Sequence, residues 1–327
     1  MKRILFLTIV VLLFWAGKKT PYATFRLKDF ENAMHYIPAG SIIYSDSVEL
    51  YDGVKMNYDT TKLRGASVKG FYMCDHDVTN AEYRFFLNDL RQNDGDEYKR
   101  MIPDTLVWSR NRWSMQAYTN MYFWHPAYGD YPVVGVTHEQ AEYYCKWLTK
   151  HYMKEDKRKY SKVEFTLPTV YEWEQAASGG LALPLFPWKG YSLQNDKGQW
   201  QADFIPVDQS AIIGVKRTKN GKHESYTITA GDFPVGSTAP PTLDSYNCND
   251  VHSYEATAPV KSFWPNGYGL YNMAGNVRQF VREKGITKGG GWKDMGYFLR
   301  IPVQQGYDST NYRSNDTGFR VVMEIKS

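Results

Sequence analysis

The sequence is poor in the groups that usually carry catalysis. Its 327 residues include three cysteines, Cys74, Cys145 and Cys248. Their wide spacing gives no C-x-x-C redox or metal motif and leaves open one disulfide with a free thiol, or none. The seven histidines form no H-x-x-x-H pair, so the usual helical zinc or non-haem iron site is missing. There is no G-x-S-x-G elbow and no phosphate-cradling P-loop. A net charge of +4, with no basic stripe, excludes nucleic acid as an expected partner. Internal repeats and low-complexity linkers are also missing. The one apolar run, Ile4 to Ala16, has 13 residues, short of the ~20 that span a bilayer.

That run follows Lys2 and Arg3 and reads as a secretory signal covering residues 1–17. Trp15-Ala16-Gly17 resembles the lead-in to a lipoprotein cleavage site, but Lys18 stands where the lipidated cysteine belongs. Residues 18–30 read as a tether and residues 31–327 as one domain. Aromatics reach 16%, with 26 Tyr and 10 Trp. Such a surplus suits a core with little regular structure, with a remainder available for contact surfaces.

Three helices announce themselves by capping boxes. They begin at Thr79-Asn80-Ala81-Glu82, Thr137-His138-Glu139-Gln140 and Thr169-Val170-Tyr171-Glu172. In each, the threonine oxygen and the residue three positions on satisfy backbone N–H groups at the helix start. Apolar residues then recur at helical spacing, and Gly179-Gly180 stops the third helix. Cys145 falls on the apolar face of the second and reads as a small core hydrophobe. Strands are expected at 68–74 and 317–325, and a surface hairpin at 215–228 turning at Asn220-Gly221. The fold class is therefore α+β, with low regular content.

Several stretches follow one another in the order of a known family: "MHYIPAGS" (34–41), "DVTNAEYRFF" (77–86), "YPVVGVTHEQAEYYCKWL" (131–148), "FTLPTVYEWEQAASGG" (165–180), "GYGLYNMAGNVRQF" (267–280), "KGGGWKD" (288–294) and "TGFRVV" (317–322). The chain resembles the formylglycine-generating enzyme (sulfatase-modifying factor) superfamily over residues 34–323. The resemblance implies that family's single-domain, C-type-lectin-related fold. In catalytic members the glycine-rich strand is followed by two copper-binding cysteines, and soft thiolates suit Cu(I). Those positions fall here on Asp294 and Leu299. The resemblance therefore implies a non-catalytic member, with no catalytic residue and no copper. Gly289, Gly290, Gly291, Trp292, Asp294 and Arg320 remain as structural motif residues. Trp292 is expected to be buried, and Asp294 to be dispensable to the fold. Members also bind calcium near a "GNVWEW" motif, which here reads Asn276-Val277-Arg278-Gln279-Phe280. Asn276, Gln279 and Asp203 are the candidates for a degraded calcium site, and calcium is the one cofactor the resemblance would allow.

A narrower likeness lies in "IPDTLVW" (102–108), "YFWHPAYGDYPVVGV" (122–136), "FPWKGYSLQNDKGQWQADFIP" (186–206) and "GGGWKDMGYFLR" (289–300). These phrases are similar to the GldK/PorK family of gliding-motility and type IX secretion lipoproteins. That likeness implies a periplasmic, outer-membrane-associated ring built with a partner of GldN/PorN type, joined to the membrane through the partner or the N-terminal segment. A divergent oxygenase and a lectin-like module for glycan or peptide are the alternatives. Cys74-Asp75-His76-Asp77 has metal-ligand residue types, but on a continuous strand neighbours face opposite sides and would not share a site. His125, set between aromatics, is expected to be a packed, hydrogen-bonded histidine.

Overall fold

The structure is a computed structural model. It describes residues 26–45, 48–51, 55–58, 63–110, 115–182, 184–204, 212–220, 223–230, 256–294, 296–307 and 310–326. Residues 1–17, where a signal is expected, and Cys248 lie outside the described residues. In chain order the elements are α1 (Leu27–Ala33), β1 (Met34–Ile37), β2 (Gly40–Ser45), β3 (Val48–Tyr51), β4 (Lys55–Tyr58), β5 (Leu63–Val68), β6 (Phe71–Cys74), α2 (Asn80–Asn93), α3 (Gly95–Met101) and α4 (Gln116–Met121). They continue with α5 (His138–Lys154), β7 (Val163–Thr166), α6 (Val170–Ala177), β8 (Ile212–Asn220), β9 (His223–Ala230), β10 (Arg278–Phe280), β11 (Ile286–Lys288), β12 (Gln304–Gly306), β13 (Thr317–Phe319) and β14 (Val322–Ile325).

Local chemistry sets the three main helices. Thr79, Thr137 and Thr169 each accept from the backbone N–H three residues on, and Glu82, Gln140 and Glu172 each reach back to the cap backbone. All three expected capping boxes are thus formed. Helix α6 ends at Ala177, and Gly179 and Gly180 follow with φ of 59° and 81°. Helices α2 and α5 bury Tyr83, Phe86, Leu87, Tyr144, Trp147 and Leu148 in the largest apolar cluster. Cys145 lies in that cluster, where burial pushes its thiol up.

Among the described residues, three two-stranded pairs, β2-β5, β3-β4 and β8-β9, and two four-stranded sheets carry the rest. One has the order β1-β6-β14-β7, with every pairing antiparallel. The other has the order β12-β11-β10-β13, in which β10 and β13 run parallel. The expected strand 317–325 is in fact two: β13 closes the second sheet, the chain shifts at Arg320-Val321, and β14 enters the first. The fully buried Arg320 guanidinium sits at this crossing. It donates to the carbonyls of Cys74 at 3.0 Å and Tyr271 at 2.5 Å, beside Asp77 at 3.7 Å. The expected strand 68–74 likewise breaks at Lys69-Gly70, between β5 and β6. Strands β8 and β9 pair antiparallel with Asn220 opposite His223, as the hairpin expectation requires. The turn residues 221–222 lie outside the described residues.

The tether assignment needs correction at its end. Residues 27–30 open α1, which docks on the core: Phe30 packs edge-on against Phe165 at 5.4 Å, and Glu31 accepts from the Tyr152 hydroxyl at 2.6 Å. Among the described residues, more large aromatics are buried than exposed. Trp108 and Trp292 stack at 6.3 Å, and Tyr83 and Tyr144 at 5.7 Å. Trp264 and Tyr191 are exposed.

Candidate functional site

The glycine-rich stretch directly follows β11, an inner strand of the second sheet. Gly289 and Gly290 have φ of 89° and 63°, a region that L side chains avoid. A Cβ on Gly289 would stand 2.9 Å from the Met273 carbonyl, and one on Gly290 would stand 3.0 Å from Phe298 and Leu299. The chain therefore kinks tightly against 273–276. The Gly275 N–H donates to Gly289 at 2.9 Å, and the Trp292 N–H donates to Asn276 at 2.9 Å. Trp292 is buried as expected, and its indole N–H donates to the Asn315 carbonyl at 3.0 Å.

Asp294 is not the dispensable residue expected of a vacated ligand position. Its carboxylate takes a two-pronged contact from Arg278, with Nε at 2.7 Å and Nη2 at 2.6 Å. It also accepts from the Gly291 N–H at 2.8 Å and from Gln305 at 2.9 Å. Asp316 stands 3.6 Å from the same guanidinium. Burial works against the Asp316 charge, but Arg278 and Lys293 outweigh it and hold the carboxyl below its usual range. The two sequence departures, Arg278 in the "GNVWEW" stretch and Asp294 after the glycines, are therefore partners. Leu299 is fully buried among Leu185, Phe186, Leu193 and Ala274. Beside this hub the Lys288 ammonium is buried on Glu174 and the Ile301 carbonyl, both at 2.6 Å.

The three calcium candidates do not assemble into a cation site. Asn276 accepts from the Ala258 N–H at 2.8 Å and donates to the Ala258 carbonyl at 3.1 Å. Gln279 accepts from the Trp173 indole at 2.7 Å and donates to the Asn272 carbonyl at 3.0 Å. Both amides are committed inward. Asp203 is buried, and its Oδ2 has no partner among the described residues; burial pushes its carboxyl well above the usual range. Calcium takes 6–8 oxygens, and one uncommitted carboxylate oxygen does not fit that demand.

A second polar centre sits at the end of β6, and here the expectation from strand alternation fails. Strand β6 stops at Cys74, and residues 75–76 bend, so their side chains converge. His76 Nδ1 contacts Asp75 Oδ1 and lies 3.5 Å from Cys74 Sγ. His76 Nε2 faces Glu82 Oε1 at 3.3 Å. Lys261 donates to Asp75 Oδ2 at 2.7 Å, and His35 Nε2 is 3.8 Å from the same oxygen. Burial opposes the charge on His76, but Cys74, Glu82 and Asp75 hold it well above the ordinary imidazole value. Asp77 is fully buried, and burial raises it to about 6 against Arg320 and His76. His125 differs from expectation: it is exposed and accepts from the Ala127 N–H at 3.2 Å, capping a short 3-10 turn.

An α+β scaffold with capped helices, a kinked glycine strand and an ionic hub beside it defines the class. The chain belongs to the sulfatase-modifying factor enzyme 1-like family, whose model matches residues 24–325. It is 28% identical over 244 residues to the formylglycine-generating enzyme of Mus musculus, which covers 67% of this chain and 50% of that protein. The chain thus spans about half the length of the formylglycine-generating enzyme it matches. It is 23% identical over 295 residues to the "Inactive C-alpha-formylglycine-generating enzyme 2" of Bos taurus, covering 79% of this chain and 78% of that one. Among solved structures it resembles PvdO from Pseudomonas aeruginosa, with a TM-score of 0.52 and 19% identity over 89% of this chain and 94% of that one. This last likeness concerns the fold alone.

Proposed function

We propose that this protein is a non-enzymatic member of its family, a structural subunit of a periplasmic, outer-membrane-associated type IX secretion or gliding-motility ring. The observation that carries the non-enzymatic part is the fate of the two cysteine positions. Asp294 is locked by Arg278, Gly291 and Gln305, and Leu299 is sealed in an apolar cluster. A carboxylate bound to a guanidinium and an alkyl side chain offer copper(I) no thiolate and oxygen no place to be activated. The similarity to relatives named inactive agrees with this reading. The likeness to GldK/PorK in 102–108, 122–136, 186–206 and 289–300 supports the assembly role. The exposed Trp264 and Tyr191 supply aromatic anchors of the kind that protein contacts use.

Two measurements test the proposal. Tagged protein recovered from native cell envelopes is expected in a large particle containing a GldN/PorN-type partner. A small, partner-free species would remove the ring. Separately, purified protein given copper and a cysteine-containing sulfatase peptide is expected to form no formylglycine, and turnover would overturn the non-enzymatic reading.

A further inference from the structure

The corner after β6 brings together a thiol, an imidazole and a carboxylate that neither the glycine-rich strand nor the assembly role uses. Their ligand atoms all lie within 4.8 Å of one another, and all three residues are buried. Each imidazole is oriented by its other nitrogen. His76 Nε2 faces Glu82 Oε1 at 3.3 Å, which leaves Nδ1 toward Cys74 and Asp75. His35 Nδ1 faces the Tyr268 carbonyl at 2.8 Å, which leaves Nε2 toward Asp75. A carboxylate or carbonyl behind the imidazole is the usual outer support of a metal-ligating histidine. Glu82 is itself fixed, because its Oε2 accepts from the Thr79 N–H and hydroxyl, both at 2.8 Å.

We infer that this corner is a zinc site with Cys74 Sγ, Asp75 Oδ1 and His76 Nδ1 as ligands, and with His35, whose Nε2 lies 3.8 Å from Asp75 Oδ2, as the candidate fourth. The inference does not depend on the ring assembly. The Sγ to Nδ1 separation of 3.5 Å is close to the roughly 3.6 Å between sulfur and nitrogen on a tetrahedral zinc with ordinary bond lengths; Asp75 Oδ1 touches His76 Nδ1 directly, so the carboxylate must swing away from the imidazole to admit the ion. Thiolate, imidazole and carboxylate together match a borderline-soft divalent ion, whereas copper(I) would not favour the carboxylate. The cation takes the place of the thiol proton and of the hydrogen between Asp75 and His76. Its two charges are balanced by the Cys74 thiolate and the Asp75 carboxylate. Lys261, on Asp75 Oδ2 at 2.7 Å, keeps that carboxylate to one coordinating oxygen. His35, with its side chain 35% exposed, supplies the route in from solvent. The ligands come from β1 and the corner after β6, with support from the start of α2 and the segment carrying Lys261 and Tyr268. The ion would therefore pin three segments that sequence separates, around residues 35, 74–82 and 261–268.

The full chain is stripped with a chelator and titrated with zinc and, in parallel, with cobalt(II). One equivalent of either metal is expected, and cobalt should give a thiolate-to-metal charge-transfer band. That band should vanish in Cys74→Ser and persist in Cys145→Ser and Cys248→Ser. Glu82→Gln retains the capping box, since glutamine serves there as well, and is expected to weaken zinc binding about 10- to 100-fold with the fold intact. Failure to take up one equivalent, or an unchanged band in Cys74→Ser, overturns the site. If Cys74→Ser does not fold, the remaining variants decide. Unchanged affinity in both Glu82→Gln and His35→Gln leaves only an internally paired polar cluster and ends the proposal.

Discussion

The ionic hub around Asp294 and the corner around His76 are both built from buried charged groups, yet their polar atoms are spent differently. At the hub, Arg278 faces two carboxylates, and backbone and amide donors complete the Asp294 shell. At the corner, three ligand-type atoms crowd one small space, and outer partners hold the imidazoles with one nitrogen directed inward. The hub pairs one guanidinium with two carboxylates, whereas the corner gathers a thiol, an imidazole and a carboxylate on one point, and that juxtaposition carries the zinc inference. Residue types alone do not separate the two, because carboxylates and cations occur at both.

The comparison breaks most readily at the hub. Asp294→Ala strands Arg278 beside Asp316 alone, and loss of one partner of a buried pair costs about 3–5 kcal/mol. Chemical denaturation should show a loss of that size, and a midpoint near wild type would mean that the hub is ornamental. Trp292→Ala removes an indole stacked on Trp108 and bonded to Asn315. A cost of about 3–5 kcal/mol is expected, read as a lower melting temperature with retained far-ultraviolet dichroism.

The hub also sets an acid limb. The Asp316 carboxyl is lowered in the folded state, so its contribution is full above the unfolded-state value of about 3.9. It is lost as pH falls through the lower folded-state value. Asp316→Asn should lower stability at neutral pH and flatten the decline in acid, and parallel pH–stability curves for the two proteins would refute this. At the corner, zinc at 100 times its Kd should raise the unfolding free energy by about 2.7 kcal/mol. The same addition should leave Cys74→Ser unmoved. The smallest effects separate capping from metal support. Thr79→Ala and Thr137→Ala should each cost about 1 kcal/mol, but only Thr79→Ala should also weaken zinc, because Thr79 positions Glu82. Equal zinc affinity in the two variants would dissociate the cap from the corner.

Much of the frame was legible in sequence because its causes are local. A threonine with Glu or Gln three residues on can cap a helix without help from the rest of the chain, and all three such boxes formed. The kink at Gly289 and Gly290 was legible too, since positive φ selects glycine. The corner was misread because alternation holds only while a strand continues, and β6 ends at Cys74. Nothing local announces that end: Cys74 is tied to Arg320, 246 positions away. The pairing of Arg278 with Asp294 was hidden for a similar reason. Each residue stood out as a departure from the family pattern, but their contact depends on β10 lying beside the kinked glycine stretch.

The sequence by itself determined the helix starts, the backbone freedom at the glycines and the family to which the chain belongs. These depend on residues within a few positions of one another, or on their order. Tertiary structure decided which charges meet. Arg278, Asp294 and Asp316 form one hub, and Cys74, Asp75, His76, Glu82, Lys261 and His35 form one corner. Electrostatic and coordination energies fall off with distance in space, and burial by remote segments sets how strongly each charge is felt.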